Sequence, residues 1–292
     1  MGALRRWLQC CCCCRGGGGG GGGKGGVGDG LVWDVALKAH ASGDYSVAVA
    51  QANEALEDQA QFAAQSDGIS AEVLEKAFGE TEEEFVASVQ RSWPSQPRIL
   101  SVGSCCLVGA IEGGTLYVAN LGDSRAVSRS IGDVYLKKPE ICKSNPMLQQ
   151  TICPFPLRRP VMSAVPTIKT RKLRPGDQFV IFASDGLWEQ LTDEAAVAIV
   201  AGSPRRGVAM RLVRAAQLEA ARKKDVKYER IRTIEKGQRR HFHDDITVVV
   251  LFLDKCRGKA GRGDEIDGTD GPVDVFSLSP DDREDPTRPV LR

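Results

Sequence analysis

The sequence predicts an α+β fold, with sheets flanked by helices, on three observations. Apolar residues recur at helical spacing between Val73 and Val89. Two apolar runs, 98–111 and 115–121, are joined by Glu112-Gly113-Gly114. Residues 246–253 form an almost unbroken apolar run. The first pattern marks a helix with one buried face, the second a hairpin, and the third a strand covered on both sides. Hairpins combined with long helices require layers of sheet and helix around a common core.

The chain divides by composition. Residues 1–30 hold the run Cys10–Cys14 and then Gly16–Gly23. Such a tract gains no burial to offset its backbone entropy, so a flexible tether is expected. Residues 31–254 carry the periodic apolar pattern and form the folded part. Residues 255–292, rich in Gly, Asp, Pro and Arg, are expected to be a disordered tail.

Within the folded part, Val73, Leu74, Ala77, Phe78, Phe85, Val86 and Val89 share one helical face, with Ser70 as N-cap and Pro94 beyond the end. Gln178–Ala183 is a short strand. Thr192 caps a helix running to about Val200. A further helix over Arg206–Lys224 places Val208, Leu212, Val213 and Leu218 on its apolar side. Arg206, Arg211, Arg214, Arg222, Lys223 and Lys224, with Arg205 just before them, make its solvated side.

The 292 residues are 42% hydrophobic and 26% charged with a net charge of +1, as in ordinary soluble proteins. Near-neutrality argues against a nucleic-acid-binding field. No apolar run approaches the roughly 18 residues that a membrane helix needs. The basic start, Met1 to Leu8, lacks the apolar region of a signal peptide. Of ten cysteines, Cys105, Cys106, Cys142, Cys153 and Cys256 lie outside the run, and none shows C-x-x-C spacing. A reducing, intracellular setting is expected, in cytoplasm or nucleus. The three histidines, His40, His241 and His243, lack His-x-x-x-His spacing, which argues against a zinc hydrolase.

One pattern carries chemistry. Acidic residues recur at the ends of apolar segments, beside glycine or another acid: Glu57-Asp58, Gly122-Asp123, Gly132-Asp133, Ser184-Asp185-Gly186 and Asp244-Asp245. Taken singly, an Asp-Gly pair is most often a turn. Several strands ending together instead bring carboxylates to one rim, an oxygen-rich setting suited to Mg²⁺ or Mn²⁺. Two such ions roughly 3.5–4 Å apart serve phosphoryl hydrolysis.

These segments resemble one family. Ala183-Ser184-Asp185-Gly186-Leu187-Trp188-Glu189 is similar to A-[SC]-D-G-[LI]-W-[DE], and Asn120-Leu121-Gly122-Asp123-Ser124-Arg125-Ala126 to N-x-G-D-S-R-[AG]. Ser128–Asp133 resembles S-R-[AS]-[IL]-G-D, Asp244–Val248 the closing D-[ND]-[IM]-[ST]-V, and Leu56-Glu57-Asp58 the opening M-E-D. These five motifs, in order, are those of the metal-dependent protein serine/threonine phosphatases (the PPM, or type 2C, family), and the surrounding wording resembles the plant branch called clade D. The resemblance implies a β-sandwich of two antiparallel sheets flanked by helices, with a two-metal site binding Mg²⁺ or Mn²⁺. It implies Asp185 and Asp244 as direct ligands, with Glu57 and Asp58 near the metals through water. Asp123 and Glu189 fall at a weaker metal site, and Asp133 in the same acidic pocket. The implied reaction is hydrolysis of phosphoserine and phosphothreonine in phosphoproteins by a metal-activated water.

The chain also departs from the family. The D-G-H-G-G motif, whose Asp bridges both metals, is absent after Asp58, and only Asp67-Gly68 resembles a remnant of it. A second segment is missing between Val127 and Ser128, where two motifs adjoin. Asn53 stands where many relatives carry a phosphate-binding Arg, and Val165 where the branch has Asp. The sandwich is therefore expected to be incomplete. Crowded carboxylates without their cation raise one another's pKa, so little or no turnover is expected, and a catalytically impaired binding module is the alternative. Cys10–Cys14 beside Arg5 and Arg6 suits S-palmitoylation and peripheral attachment to the plasma membrane, or is a low-complexity run without function. A monomer is expected.

Overall fold

The computed structural model describes residues 31–40, 42–62, 68–122, 129–138, 140–141, 159–254 and the backbone of 273–274. Its principal elements in chain order are strands β1 (Val32–His40) and β2 (Gly43–Ala50), helix α1 (Ala71–Ser92), and strands β3 (Cys106–Glu112), β4 (Thr115–Leu121), β5 (Thr167–Lys172) and β6 (Phe179–Ala183). They continue with helices α2 (Asp185–Trp188), α3 (Asp193–Ala201) and α4 (Val208–Lys223), and strand β7 (Ile246–Phe252). Helices and antiparallel sheets are mixed, as expected. The elements fall into two compact units, one within residues 66–172 and the other from 17–65 together with 173–292.

In the second unit the sheet order is β1-β2-β7-β6, antiparallel throughout. The apolar run at 246–252 is one of its two inner strands, pairing Ile246 with Ala50 on one side and Val248 with Ala183 on the other. Ile246, Val248, Val250 and Phe252 alternate onto the face that α4 covers, and share a core with Ala48, Ala50, Leu212, Val213 and Ala216. Each fully buried aliphatic side chain there contributes about 1.5–3 kcal/mol. The small residues Ala209 and Ala216 turn a narrow, close-packing face to the sheet, while Ala220 packs with Ala221 and Ile231. Leu218 does not join that face, contrary to expectation. It is 52% exposed, because the stripe continues from Val213 to Gln217, which is fully buried.

Gly43 shows why the β1–β2 connection holds glycine. Its φ is +150°, and a Cβ there would stand 1.8 Å from the carbonyl oxygen of Phe252. Arg205 lies over the Phe252 ring at 4.6 Å and forks onto Asp254, so it is tied down rather than merely solvated.

In the first unit the sheet order is β3-β4-β5, again antiparallel. The hairpin turns at Gly113 and Gly114, both with positive φ. Helix α1 begins at Ser70, whose Oγ accepts from the Val73 amide at 3.2 Å, and lays Leu74 and Phe78 against Cys106, Val108, Ala119 and Leu121. The strand expected over 98–111 starts late: Pro97–Ser101 is a 3₁₀ turn, since Pro97 presets its first dihedral and supplies no ladder donor. Of the tail expected to be disordered, Val273–Asp274 pairs with Gln61–Phe62. The remainder of that tail, the stretch 1–30 with Cys10–Cys14, Asp67, and the site candidate Asp123 lie outside the described residues.

Candidate active site

The second unit gathers most of the predicted carboxylates. Strand β6 ends at Ala183, Ser184 follows in extended conformation, and Asp185 opens α2. This turn is pinned to the start of β7. The Ser184 amide donates to Thr247 O at 3.0 Å, the Thr247 amide to Ser184 Oγ at 2.9 Å, and Ser184 Oγ to Asp245 O at 3.2 Å. A Cβ on Gly186 would come within 2.2 Å of Asp245 O, so the Asp-Gly pair is demanded by the close approach of two backbones. Trp188 closes the turn, donating Nε1–H to Ala183 O at 3.2 Å.

The adjacent acids at the head of β7 have different fates. Asp245 faces the loop after β2. Its Oδ1 accepts from the Ala52 and Asn53 amides at 2.7 and 3.0 Å, and its Oδ2 from the Glu57 amide at 2.8 Å. Asp244 faces the cluster. Its Oδ1 accepts from Asn53 Nδ2 at 2.8 Å, and its Oδ2 pairs with Arg240 at 2.8 Å. Asn53 Nδ2 also stands 3.5 Å from Glu57 Oε2, so one amide ties together two predicted metal-site carboxylates.

Electrostatics confirm the crowding. Burial pushes Asp185 above its ordinary value and the Asp244 charge adds to this, while Arg240 pulls it back. Glu189 is raised by burial and then by Asp185 and Asp244, with Arg240 and Lys223 opposing. Asp58, only 1% exposed, is pushed up to about 7, first by burial and then by the Asp245 and Asp185 charges, against the lowering effect of the Thr247 and Ser184 hydroxyls. Even so, neither Asp58 Oδ2 nor Thr247 Oγ1 has a hydrogen-bond partner of proper geometry. An orphaned, buried carboxylate oxygen is costly, and protonation lowers the cost.

Asp58 therefore gives a pH signature. Its folded pKa lies above the ordinary 3.8, so the folded chain keeps a proton that the unfolded chain releases. The stability associated with that proton is complete below about pH 4 and is lost as pH rises through 7, by on the order of 4 kcal/mol. In EDTA, thermal melts from pH 5 to 8 should fall more steeply for wild type than for Asp58→Asn. Parallel curves would show that Asp58 is ionised throughout.

Glu57, Asp58, Asp185, Glu189 and Asp244 thus come together in one unit. Asp133 belongs to the other unit and has a structural partner set there. It adopts φ +48°, accepts from Ser130 Oγ at 2.8 Å, and lies over Gly103, where a Cβ would meet its Oδ2 at 1.9 Å. Beside it Lys137 and Glu82 form a half-buried ion pair at 2.8 Å. Two residues of the site escaped sequence reasoning: Arg240, detectable only as the i,i+4 partner of Asp244, and Asn53 as a bridge between carboxylates. Among the described residues no three His, Cys, Asp or Glu side chains stand together at metal-ligand spacing. With both Asp244 oxygens engaged by protein groups, the residues present do not fit the two-ion centre that the resemblance implies.

The family model of protein phosphatase 2C matches residues 35–127 and 126–225. The chain belongs to the protein phosphatase 2C family. Probable protein phosphatase 2C 29 of rice (Oryza sativa subsp. japonica) is 73% identical over 392 residues, covering 100% of both chains. Probable protein phosphatase 2C 63 of Arabidopsis thaliana is 42% identical over 354 residues, covering 88% of this chain and 93% of its own. Among solved structures, the catalytic domain of the serine threonine protein phosphatase PstP in complex with 2 manganese ions aligns with a TM-score of 0.44 at 14% identity, over 76% of this chain and 100% of that one. Serine-threonine phosphatase 2C from Toxoplasma gondii aligns with a TM-score of 0.43 at 15% identity, over 76% and 94%.

Both protein phosphatase 2C matches bear on the missing segments. The family match falls into two parts that meet at residues 126–127, where two motifs adjoin. The rice alignment runs over 392 positions against a chain of 292, leaving about a hundred positions opposite no residue of this chain. Seventy-three per cent of 392 is about 286 identities, so nearly every residue present is identical to the relative, and the difference lies in what is absent.

Proposed function

We propose that this protein phosphatase 2C chain hydrolyses phosphoserine and phosphothreonine in phosphoproteins, with Mg²⁺ or Mn²⁺ as the ions and at a rate limited by its incomplete site. The observation that carries the reading is the convergence of Asp185, Glu189 and Asp244 within mutual electrostatic reach, beside Glu57 and Asp58. Carboxylates crowded in this way are part of the oxygen-rich surroundings that hard divalent cations select, and the set present is incomplete for two ions, which is why the rate is limited. Trp188, Gly186 and Ser184 hold Asp185 there, while Asp245 holds the loop that carries Asn53 and Glu57. The alternative of a non-catalytic binding module draws no support from the comparisons. An intracellular site of action belongs to the same reading.

Phosphate release from a phosphothreonine peptide tests it. Purified chain should show slow turnover that rises with Mn²⁺, is abolished by EDTA, and drops about tenfold or more in Asp185→Asn. Turnover indifferent to EDTA, or to the Asp185 substitution, overturns the reading.

A further inference from the structure

Past β2 the chain is anchored at several points and then presents a short strand. Asp245 holds the amides of Ala52, Asn53 and Glu57, and Asp58 and Ala60 are each only 1% exposed. Gln61 and Phe62 then emerge half-buried. The Phe62 ring is stacked on Tyr45 of β2, with centroids 4.5 Å apart and planes 24° from parallel, and Tyr45 is itself buried. Its direction is thus set by groups of β2 and of the preceding loop. Against this edge the tail lays Val273–Asp274 as an antiparallel ladder, Val273 opposite Phe62 and Asp274 opposite Gln61. Both strands belong to the second unit.

We propose that Gln61–Phe62 is a strand-addition site for an extended peptide, and that residues 271–276 of the chain's own tail are its tethered, exchangeable occupant. Recognition of this kind runs through main-chain N–H and C=O groups, which an edge held in advance offers at little ordering cost. A ladder of two residue pairs is short beside the five or six residues of an ordinary strand, so it opens locally without disturbing the core. Covalent attachment offsets that weakness. Residues 255–272 join the occupant to the end of β7, and a short tether of this kind corresponds to an effective concentration on the order of 1 mM. The loop that leads into the edge carries Asn53, Glu57 and Asp58, so occupancy bears on the candidate active site, but strand addition itself does not depend on phosphoryl hydrolysis.

Hydrogen exchange of the full chain, read at the amides of Gln61 and Phe62, tests this. Successive N–H groups of a strand point to opposite sides, so one of Val273 and Asp274 faces the edge, and the double variant Val273→Pro/Asp274→Pro removes its donor in either case. That variant should exchange at the 61–62 edge about tenfold or more faster than wild type, with β2 and β7 as protected as before. A control pair, Asp264→Pro/Glu265→Pro, should leave the edge unchanged. A synthetic peptide of residues 270–279, added at a few millimolar, should restore protection to the double variant, and a scrambled peptide should not. Equal exchange in wild type and double variant, an effect of the control pair, or no rescue by the peptide overturns the proposal. Loss of protection at β2 and β7 in the double variant overturns it too, since the tail would then be part of the core. Wild-type protection that fades on dilution assigns the strand to a second copy of the chain and equally refutes an occupant held in cis.

Discussion

Grafting into this chain the segments that its rice relative carries and it lacks should raise Mn²⁺-dependent hydrolysis of a phosphothreonine peptide by about a thousandfold or more. The motif order places one missing segment after Asp58 and the other after Val127. After Asp58 the described chain passes into a two-residue strand, Gln61–Phe62, whose partner is Val273–Asp274. Among the described residues no apolar strand follows there to deliver a further carboxylate to the rim that Asp185 and Asp244 occupy. On the metal-dependent reading, a carboxylate in the missing segment would supply charge to the ions, and its loss would remove several kcal/mol of transition-state stabilisation, which is the thousandfold stated. Two half-grafts separate the causes. The segment after Asp58 alone should recover most of the Mn²⁺ affinity, and the segment after Val127 alone most of the thermal stability, since it supplies strands rather than ligands. Comparable turnover by the grafted and present chains would place the defect elsewhere.

How much of this was legible in the sequence depends on the range of the interactions. Helix α1 was legible to within a residue or two, because its signals are local: the Ser70 cap, the 3.6-residue period and the following proline. The hairpin of β3 and β4 was legible through Glu112-Gly113-Gly114, but the start of β3 was not, since the 98–111 run hides the 3₁₀ turn begun by Pro97. Strands β1 and β2 passed without notice. β1 carries Asp34, Lys38 and His40, and a register shift between Val35 and Lys38 spoils its alternation. β2 has its place from Ile246–Leu251, nearly two hundred residues away, and no local pattern encodes that pairing.

The site divides in the same way. Strand-end carboxylates could be found because Asp-Gly and Asp-Asp stand out beside apolar runs, and Asp185, Asp244, Glu57, Asp58 and Glu189 share one unit. Asp133, in the same kind of local pattern, is absorbed instead by a latch with Ser130 and Gly103. Nothing local distinguishes an Asp that faces a site from one that satisfies its own backbone.

That ambiguity is sharpest at Asp244-Asp245, and it yields the largest expected effect on stability. Asp245, 1% exposed, answers three backbone donors of the loop 52–57. Asp245→Ala leaves the amides of Ala52, Asn53 and Glu57 without their acceptor, the buried Ala52 amide where water does not readily replace it. At about 1–3 kcal/mol for each orphaned donor, partly relieved by relaxation, the cost is about 4 kcal/mol, or a fall of roughly 10 °C in Tm. Asp245→Asn should cost about half as much. Its remaining carbonyl oxygen still serves Ala52 and Asn53, but its amide nitrogen then faces the Glu57 N–H, donor against donor. The Asn variant therefore separates folding from the site: it should melt only a few degrees below wild type, yet lose Mn²⁺ affinity through a loosened Glu57. Asp244→Asn should show the opposite pattern, with Mn²⁺ affinity falling at least tenfold while Tm in EDTA changes little, since the pair it loses has a half-exposed Arg240 as partner. Urea and thermal melts with Mn²⁺ titrations on these three variants decide the matter. An Asp245→Ala protein as stable as wild type would mean that the three amides find other acceptors, and the division of labour between the paired acids would fall with it.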